Sequence, residues 1–330
     1  MDHYCAYFDA GFLPRALALY RSLEAHAPSF HLWALALDEG AREALAALRL
    51  AHLTPLTLAD LERFDGDLLA VKPERAGIDY HLTCTPVLAL IVLERRPDIQ
   101  AITYLDADLL FFSDPSPLLR ELANGSVLIT PHRFPEGLRH LESCGLFNDG
   151  WVTFRRSPEA LACLRWWRER CLEWCFNRLE DGRFTEQRYL DEWPRRFPGV
   201  VVSRHPGANL APWNLGRHDV DRREGRVWVD GLPLVFYHFS GFRQINPWLF
   251  DLLPEVMQVR PSRAVRRGIY QPYIQALLQA LAELATVRPD ASIRNGGRSD
   301  AHLPAWASWD HSARRLLARQ RVLVLGGRIL

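Results

Sequence analysis

Asp106-Ala107-Asp108 closes an apolar run, Ala101 to Leu105, and two carboxylates one residue apart in that position need a cation. Hard divalent ions such as Mg²⁺ or Mn²⁺ take carboxylate oxygens and keep positions open for phosphate, so the pair suits a nucleoside diphosphate. The alternative is structural: both acids cap turns and pair with arginine. The same Asp-x-Asp spacing also serves phosphohydrolases, in which Asp106 would be the nucleophile. That chemistry places Thr or Val after the second acid and a lysine downstream, whereas here Leu109 and Leu110 follow and the lysine lies upstream.

The elements around this pair read as an alternation. Tyr4 to Phe8 is a predicted strand, Pro14 to His26 a helix, His31 to Leu37 a strand, Ala41 to Leu50 a helix and Leu53 to Leu58 a strand. Leu82 to Arg95 reads as an apolar helix stopped at Pro97 and Asp98, and Ala101 to Leu105 as the next strand. Alternation of this kind predicts an α/β fold with a mostly parallel sheet covered by helices on both faces. Ligands then bind beyond the carboxyl ends of the strands, where Asp106 falls.

Further along, Pro115 to Leu122 reads as a helix, and Val127 to Thr130 and Trp151 to Phe154 as strands. Ser157-Pro158 is a helix start, and that helix is expected to run to about Asp181 with Trp166, Trp167 and Trp174 on it. Asp230-Gly231 predicts a hairpin between Arg226–Val229 and Leu234–Tyr237. Arg263 to Leu284 reads as a helix, and Pro289, Asn295-Gly296-Gly297 and Pro304 break the chain beyond it into short pieces. The expected organisation is a main domain over 1–260 and a helical C-terminal extension over 261–330.

Composition excludes several function classes. The 330 residues carry 40 basic and 39 acidic side chains, so no global field draws the chain to nucleic acid. Lys72 is the single lysine, and every other basic residue is arginine, suited to bidentate contact with phosphate or carboxylate. The N-terminus lacks a basic segment followed by an apolar one, which argues against a signal peptide. The longest apolar run, Cys84 to Leu93, is shorter than the roughly 20 residues that span a bilayer. A cytoplasmic protein is the expectation. Six cysteines in such a chain read as reduced, and Cys163, Cys171 and Cys175 as buried apolar side chains rather than a zinc site.

Several segments together resemble the family-eight type of nucleotide-sugar glycosyltransferase with the GT-A fold, which includes glycogenin and bacterial lipopolysaccharide galactosyltransferases. Tyr104-Leu105-Asp106-Ala107-Asp108 with Phe111-Phe112-Ser113-Asp114-Pro115 resembles its metal-binding segment. Asp9-x-x-Phe12-x-Pro14 is similar to the family's Asp-x-x-Tyr-x-x-Pro, whose aromatic ring stacks on the nucleotide base. Asn148-Asp149-Gly150-Trp151 resembles its Asn-x-Gly, which lines the sugar pocket. Glu186-Gln187-Arg188-Tyr189-Leu190-Asp191 resembles its Asp-Gln-Asp-x-x-Asn, which faces the donor's anomeric carbon, with Glu and Arg in place of the two outer acids. His238-Phe239-Ser240-Gly241, followed by Pro247-Trp248, is similar to its His-x-x-Gly-x-x-Lys-Pro-Trp, whose histidine is the third protein ligand to the metal. The resemblance spans Asp9 to Trp248 and includes a bacterial group known only as glycosyltransferases.

The resemblance implies a GT-A fold and a metal-dependent transfer of sugar from a nucleotide diphosphate, a UDP-sugar being favoured, to a glycan or lipid-linked glycan acceptor. Mn²⁺ or Mg²⁺ would be held by Asp106, Asp108 and His238. Donor contacts fall to Asp9, Phe12, Asp106 and Asn148, with Lys72 and Arg243 as candidates for the phosphates. Gln187, Glu186 and Asp149 are the candidate catalytic residues. An amide at 187 fits retention of anomeric configuration, and the carboxylates keep inversion open. Asn209, Trp213 and Asn214 offer a flat ring and amides for a sugar. Arg260, Arg263, Arg266 and Arg267 near Tyr270 and Tyr273 suit a peripheral membrane contact as well as a solvated helix face. A non-catalytic nucleotide-sugar-binding protein is the remaining alternative.

Overall fold

The computed structural model describes residues 1–75, 77–257, 259–293 and 319–330. Its first half is β1 (Asp2–Phe8), α1 (Leu13–His26), β2 (Phe30–Ala36), α2 (Glu39–Leu48), β3 (Leu53–Thr57), α3 (Leu58–Phe64), α4 (Gly66–Val71), α5 (Gly77–Arg95), β4 (Ala101–Leu105) and β5 (Leu109–Phe111). Local chemistry sets these boundaries. The Asp38 carboxylate accepts from Ala41 N to cap α2, and Thr57 and Asp60 cap each other's backbone at the start of α3. Helix α5 has the length and apolarity of a membrane span, but it is the central core helix, buried from Val87 through Leu93 and packed against Trp167 and its neighbours.

The second half contains α6 (Ser116–Glu121), β6 (Val127–Pro131), β7 (Phe147–Arg155), α7 (Pro158–Glu173), α8 (Trp193–Arg196), β8 (Val200–Val202), β9 (Val220–Arg223), β10 (Arg226–Val229), β11 (Leu232–Pro233), β12 (Phe236–His238), β13 (Arg243–Asn246) and β14 (Leu249–Asp251). Ser157 caps α7 through Ala160 N as its sequence predicts. That helix stops at Glu173 rather than near Asp181. Trp174 is extended and turns inward with Cys175, both buried, so side-chain burial overrides the helical run. Asp230 and Gly231 both have positive φ, at 47° and 83°, and make a hairpin turn, but the strand returning on β10 is β11 (Leu232–Pro233) rather than Leu234–Tyr237, because Phe236–His238 pairs with β5 instead.

Seven strands form one mixed, mostly parallel sheet in the order β3-β2-β1-β4-β7-β6-β8, the α/β architecture that the alternation predicts. Pairs β3–β2, β2–β1, β1–β4 and β6–β8 are parallel, while β7 runs antiparallel to both β4 and β6. Apolar side chains fill both faces, with α5 and α7 on one and α1 and α2 on the other. Because β1, β2, β4 and β6 share one direction, Asp9, Leu37, Asp106 and His132 all leave the sheet along the same rim.

Two connections carry the metal-binding candidates. β5 pairs antiparallel with β12, with His238 opposite Leu109, so a histidine 130 residues away in sequence lies beside Asp108. Phe239 N also donates to Asp108 O at 3.0 Å. On the other flank, Asp106 N donates to Gly150 O at 3.1 Å, tying the loop after β4 to β7.

Beyond β14, α9 (Arg263–Val265), a π-helical turn at Arg266–Tyr270 and α10 (Gln271–Leu284) make one continuous helical path. α10 lies on α1, where Tyr273 accepts from Arg15 at 3.1 Å and Glu283 pairs with Arg21. The chain end is not purely helical. β15 (Arg321–Leu325) pairs with β14, and β16 (Arg328–Ile329) folds back on β15, since the alternating Val322 and Val324 are buried in the same apolar cluster as Phe250. Asn295-Gly296-Gly297 and Pro304, read as breaks, lie outside the described residues.

Candidate functional site

The strand ends open into a cleft of about 600 Å³, within the range of small-molecule sites. Its lining includes Asp9 and Phe12 from the turn after β1, Asp106 and Asp108 after β4, and Asn148 and Asp149 on β7. Glu186, Gln187, Trp213 and His238 complete the set drawn from the sequence. Motifs scattered over more than two hundred residues therefore converge on one space.

Asp106, Asp108 and His238 each offer a ligand atom, and these atoms lie within 4.8 Å of one another. His238 Nε2 is 3.1 Å from Asp108 Oδ1 and 3.5 Å from Asp106 Oδ2. Two carboxylate oxygens and an imidazole nitrogen at such spacing fit a hard to borderline divalent ion such as Mn²⁺ or Mg²⁺. Tyr104 donates to the other oxygen of Asp106 at 2.9 Å and holds that carboxylate in place.

Burial, with the charge of Asp149 added, pushes Asp106 up to about 7. Burial pushes Asp108 up as well, but the charge and hydrogen bond of His238 outweigh it and hold Asp108 below its ordinary value. Burial alone would lower His238; the charges of Asp108 and Asp106 reverse the sign and raise it. His238 and Asp108 thus form an ion pair beside Asp106.

Deeper in the cleft Asp149 and Glu186 are 6% and 3% exposed and share a side-chain hydrogen bond. Burial and the neighbouring Asp149 carry Glu186 well above the carboxylate range, and burial also raises Asp149. Glu186 is therefore the proton-bearing partner and donates to Asp149. Trp167 donates its indole N–H to Glu186 O at 2.8 Å, fixing the turn that carries the pair.

Gln187 and Asn148 face the cleft with their amides engaged. Asn148 Nδ2 donates to Gln187 Oε1 at 2.9 Å, and Gln187 Nε2 donates to Cys144 O at 3.1 Å. Asn148 Oδ1 accepts from Gly150 N at 3.2 Å and stands 3.2 Å from His238 Nδ1. At the opposite end of the cleft, Asp9 Oδ1 accepts from Phe12 N at 3.0 Å, which presents the Phe12 ring to the space lined by Leu37, Ile78 and His81.

Four candidates take other places. Lys72 donates to Glu62 at 2.6 Å, is 46% exposed and does not line the cleft. Arg243 pairs with the buried Asp251 on β14 at 3.5 Å and also lies away from it. Asn209 and Asn214 are fully buried and brace the loop instead of facing a sugar. Asn214 Nδ2 donates to His132 O and Asn209 O, both at 2.9 Å, and this loop aims Trp213 at His238, with ring centroids 5.1 Å apart.

The sequence reading missed His132, Phe134, Tyr104 and Ser240, which also line the cleft. His132 and Phe134 stack at 4.7 Å, and burial beside the His238 charge pushes His132 down to about 3, leaving it neutral. Their signal was positional: both follow the end of a strand parallel to β4. Among the described residues, no lysine or arginine lines the cleft.

The sheet and its rim have the α/β fold found in GT-A glycosyltransferases. The galactosyltransferase LgtC, solved with donor and acceptor sugar analogues, superposes with a TM-score of 0.50 at 15% identity, over 84% of this chain and 95% of its own. Mouse xyloside xylosyltransferase 1 gives 0.48 at 17% identity, over 72% and 97%. No family model matches the sequence. The uncharacterised protein YfnF of Bacillus subtilis (strain 168) is 32% identical over 296 residues, 87% of this chain and 95% of YfnF. YfnD of the same organism is 33% identical over 84% of this chain and 88% of its own length. The chain belongs to the family of these two proteins.

Proposed function

We propose that the protein transfers a sugar from a nucleoside diphosphate sugar, a UDP-sugar in the first instance, to a glycan or lipid-linked glycan acceptor in the synthesis of bacterial surface polysaccharide. The observation that carries this reading is the convergence of Asp106, Asp108 and His238 within 4.8 Å at the carboxyl rim of a GT-A type sheet. The three side chains would hold Mn²⁺ or Mg²⁺. When bound, that ion supplies the positive charge that neutralises the departing diphosphate.

The chain's own groups divide the rest of the work. Phe12 and Asp9 receive the base, with Leu37 and Ile78 excluding water around it. Trp213, Phe134 and His132 offer ring faces near the metal ligands, suited to the flat apolar face of an acceptor sugar. Retention of configuration is the favoured outcome. Inversion needs a carboxylate free to take the acceptor proton, and Asp149 and Glu186 are buried and bonded to each other.

Donor hydrolysis and thermal shift across a panel of nucleotide sugars, with and without Mn²⁺, test the reading. A ligand that binds the folded state alone raises the melting temperature by mass action. One nucleotide sugar is expected to stabilise the wild type only with the ion and to be hydrolysed by the wild type but not by Asp108→Ala. No shift with any donor, or equal hydrolysis by both, would count against it.

A further inference from the structure

We infer that Asn148 and Gln187 are positioning residues that fix the tautomer of His238, through a chain of amides whose polarity is set by backbone groups at both ends. The inference rests on reading the Asp106, Asp108 and His238 centre as a metal site, and adds how the imidazole is prepared for it.

At the two ends of this chain, donor and acceptor identities admit no choice. Gly150 N–H can only donate, and it meets Asn148 at 3.2 Å, so the Asn148 atom there is the carbonyl oxygen. Cys144 C=O can only accept, and it meets Gln187 at 3.1 Å, so the Gln187 atom there is the amide nitrogen. Gln187 then turns its oxygen to Asn148, whose remaining group is the NH₂, 2.9 Å away. The two assignments, made independently from opposite ends, agree at their junction. Flipping either amide would set oxygen against oxygen at a backbone carbonyl or nitrogen against nitrogen at a backbone amide.

The consequence falls on His238. Asn148 Oδ1 is an acceptor, so Nδ1 of the ring, 3.2 Å from it, carries a proton and donates. At Nε2 the ring meets Asp108 and Asp106, which also accept, so here it carries a proton on each nitrogen; an ion held by those carboxylates would release the Nε2 proton to solvent, and Nδ1 would keep its own. A ligating imidazole whose other N–H is bonded to a fixed acceptor is held in tautomer and orientation, and loss of such a partner typically costs 10–100-fold in metal affinity.

Local backbone geometry supports the assignment. A Cβ on Gly150 would sit 2.8 Å from Asn148 Oδ1 and 2.9 Å from His238 Nδ1, so glycine alone permits this approach. Gly145 follows Cys144 with φ of 137°, a conformation that L side chains rarely adopt, at the turn that carries the accepting carbonyl. Gln187 is thus engaged at both ends of its amide, which fixes the orientation of Asn148.

The experiment reads the ring directly. Nitrogen-15 spectra of the His238 side chain, taken in the full chain with Mg²⁺ bound, are expected to show an N–H nitrogen at Nδ1 and a ligating nitrogen at Nε2. Asn148→Ala should mix the tautomers and weaken Mn²⁺ binding, read by calorimetry or by electron paramagnetic resonance of the free ion, by 10–100-fold. Asn148→Leu keeps a branched side chain of similar shape without an acceptor and is expected to give the same two changes, so it serves in place of the alanine variant if that fails to fold. A proton on Nε2 in the Mg²⁺-bound wild type, or an Asn148→Ala protein with wild-type tautomer and Mn²⁺ affinity, would overturn the inference. Wild-type protein that shows the Nδ1 proton but binds no divalent ion would support the amide chain and overturn the metal reading, so the two failures are distinct.

Discussion

His238 Nε2 lies 3.1 Å from Asp108 Oδ1, so in the absence of a cation the imidazole occupies the electrostatic role an ion would take. The remaining walls supply no substitute, because Asp9, Asp106, Asp108, Asp149 and Glu186 line the cleft and no described lysine or arginine does. A nucleoside diphosphate entering there meets acidic walls and no guanidinium or ammonium group among the described residues, so a divalent ion is needed to offset its charge. Binding of UDP or another nucleoside diphosphate, followed by calorimetry in Mn²⁺, is expected to weaken at least about 100-fold on chelation or in Asp108→Ala, matching the several kcal/mol such an ion supplies. Affinity that survives chelation would sink this expectation.

Gly150 connects the two halves of the metal site, since its carbonyl holds Asp106 N and its N–H holds Asn148. Gly150→Ala would drive a methyl group into Asn148 Oδ1 and His238 Nδ1. Neither neighbour can yield without losing its bond. The variant is expected to lose about 1–3 kcal/mol of stability from overpacking, in denaturant unfolding, together with most of its Mn²⁺ affinity. Unchanged affinity would mean that the spacing around Gly150 is looser than the geometry states.

Glu186 sets a pH dependence of stability. Burial and Asp149 raise it, so the folded chain keeps this proton at pH values where the unfolded chain has lost it. Folded protein then binds more protons than unfolded protein across that window, and stability falls as pH rises through it, by up to about 1.4 kcal/mol per pH unit for one proton. Glu186→Gln has no proton to lose and keeps an N–H for Asp149. Its melting temperature relative to wild type is expected to climb as pH rises above the ordinary carboxylate range, from about pH 5 upward. A difference that stays flat with pH would refute the assignment of the proton to Glu186.

How much of this was legible in the sequence depends on range. Asp106 and Asp108 were readable because strand, rim and acids are contiguous, and the alternation from Tyr4 to Leu105 placed them beyond a sheet edge. His238 came only through resemblance, because its proximity to Asp108 is made by β5 pairing with β12, a contact no local pattern encodes. Asn148 and Gln187 carry a motif that faces the donor by resemblance. Their bonds to each other, to Cys144 and to Gly150 exist only after β7 and the turn at Gln187 pack together. The end of α7 differs from its local pattern because the burial of Trp174 and Cys175 outweighs helical continuity. The return of β15 to β14 has no local signal, since Val322 and Val324 look unremarkable until Phe250 is beside them.

Arg243 illustrates the same limit and yields a separable prediction. Its spacing after His238 suggested a phosphate contact, yet it pairs with Asp251, which is fully buried and also held by Arg321 through Nε at 2.6 Å and a second nitrogen at 2.9 Å. A buried carboxylate bound twice by one guanidinium depends chiefly on that partner, and removing one partner of such a pair costs about 3–5 kcal/mol. Arg321→Ala is therefore expected to destabilise the chain by roughly this amount and to release β15 from β14, seen as early amide exchange at Val322 and Val324. Arg243→Ala, at 3.5 Å from the same carboxylate, should cost about 1 kcal/mol or less and leave nucleoside diphosphate affinity in Mn²⁺ within about twofold of wild type. A tenfold loss of nucleotide affinity in Arg243→Ala, with stability intact, would instead return this arginine to the donor site.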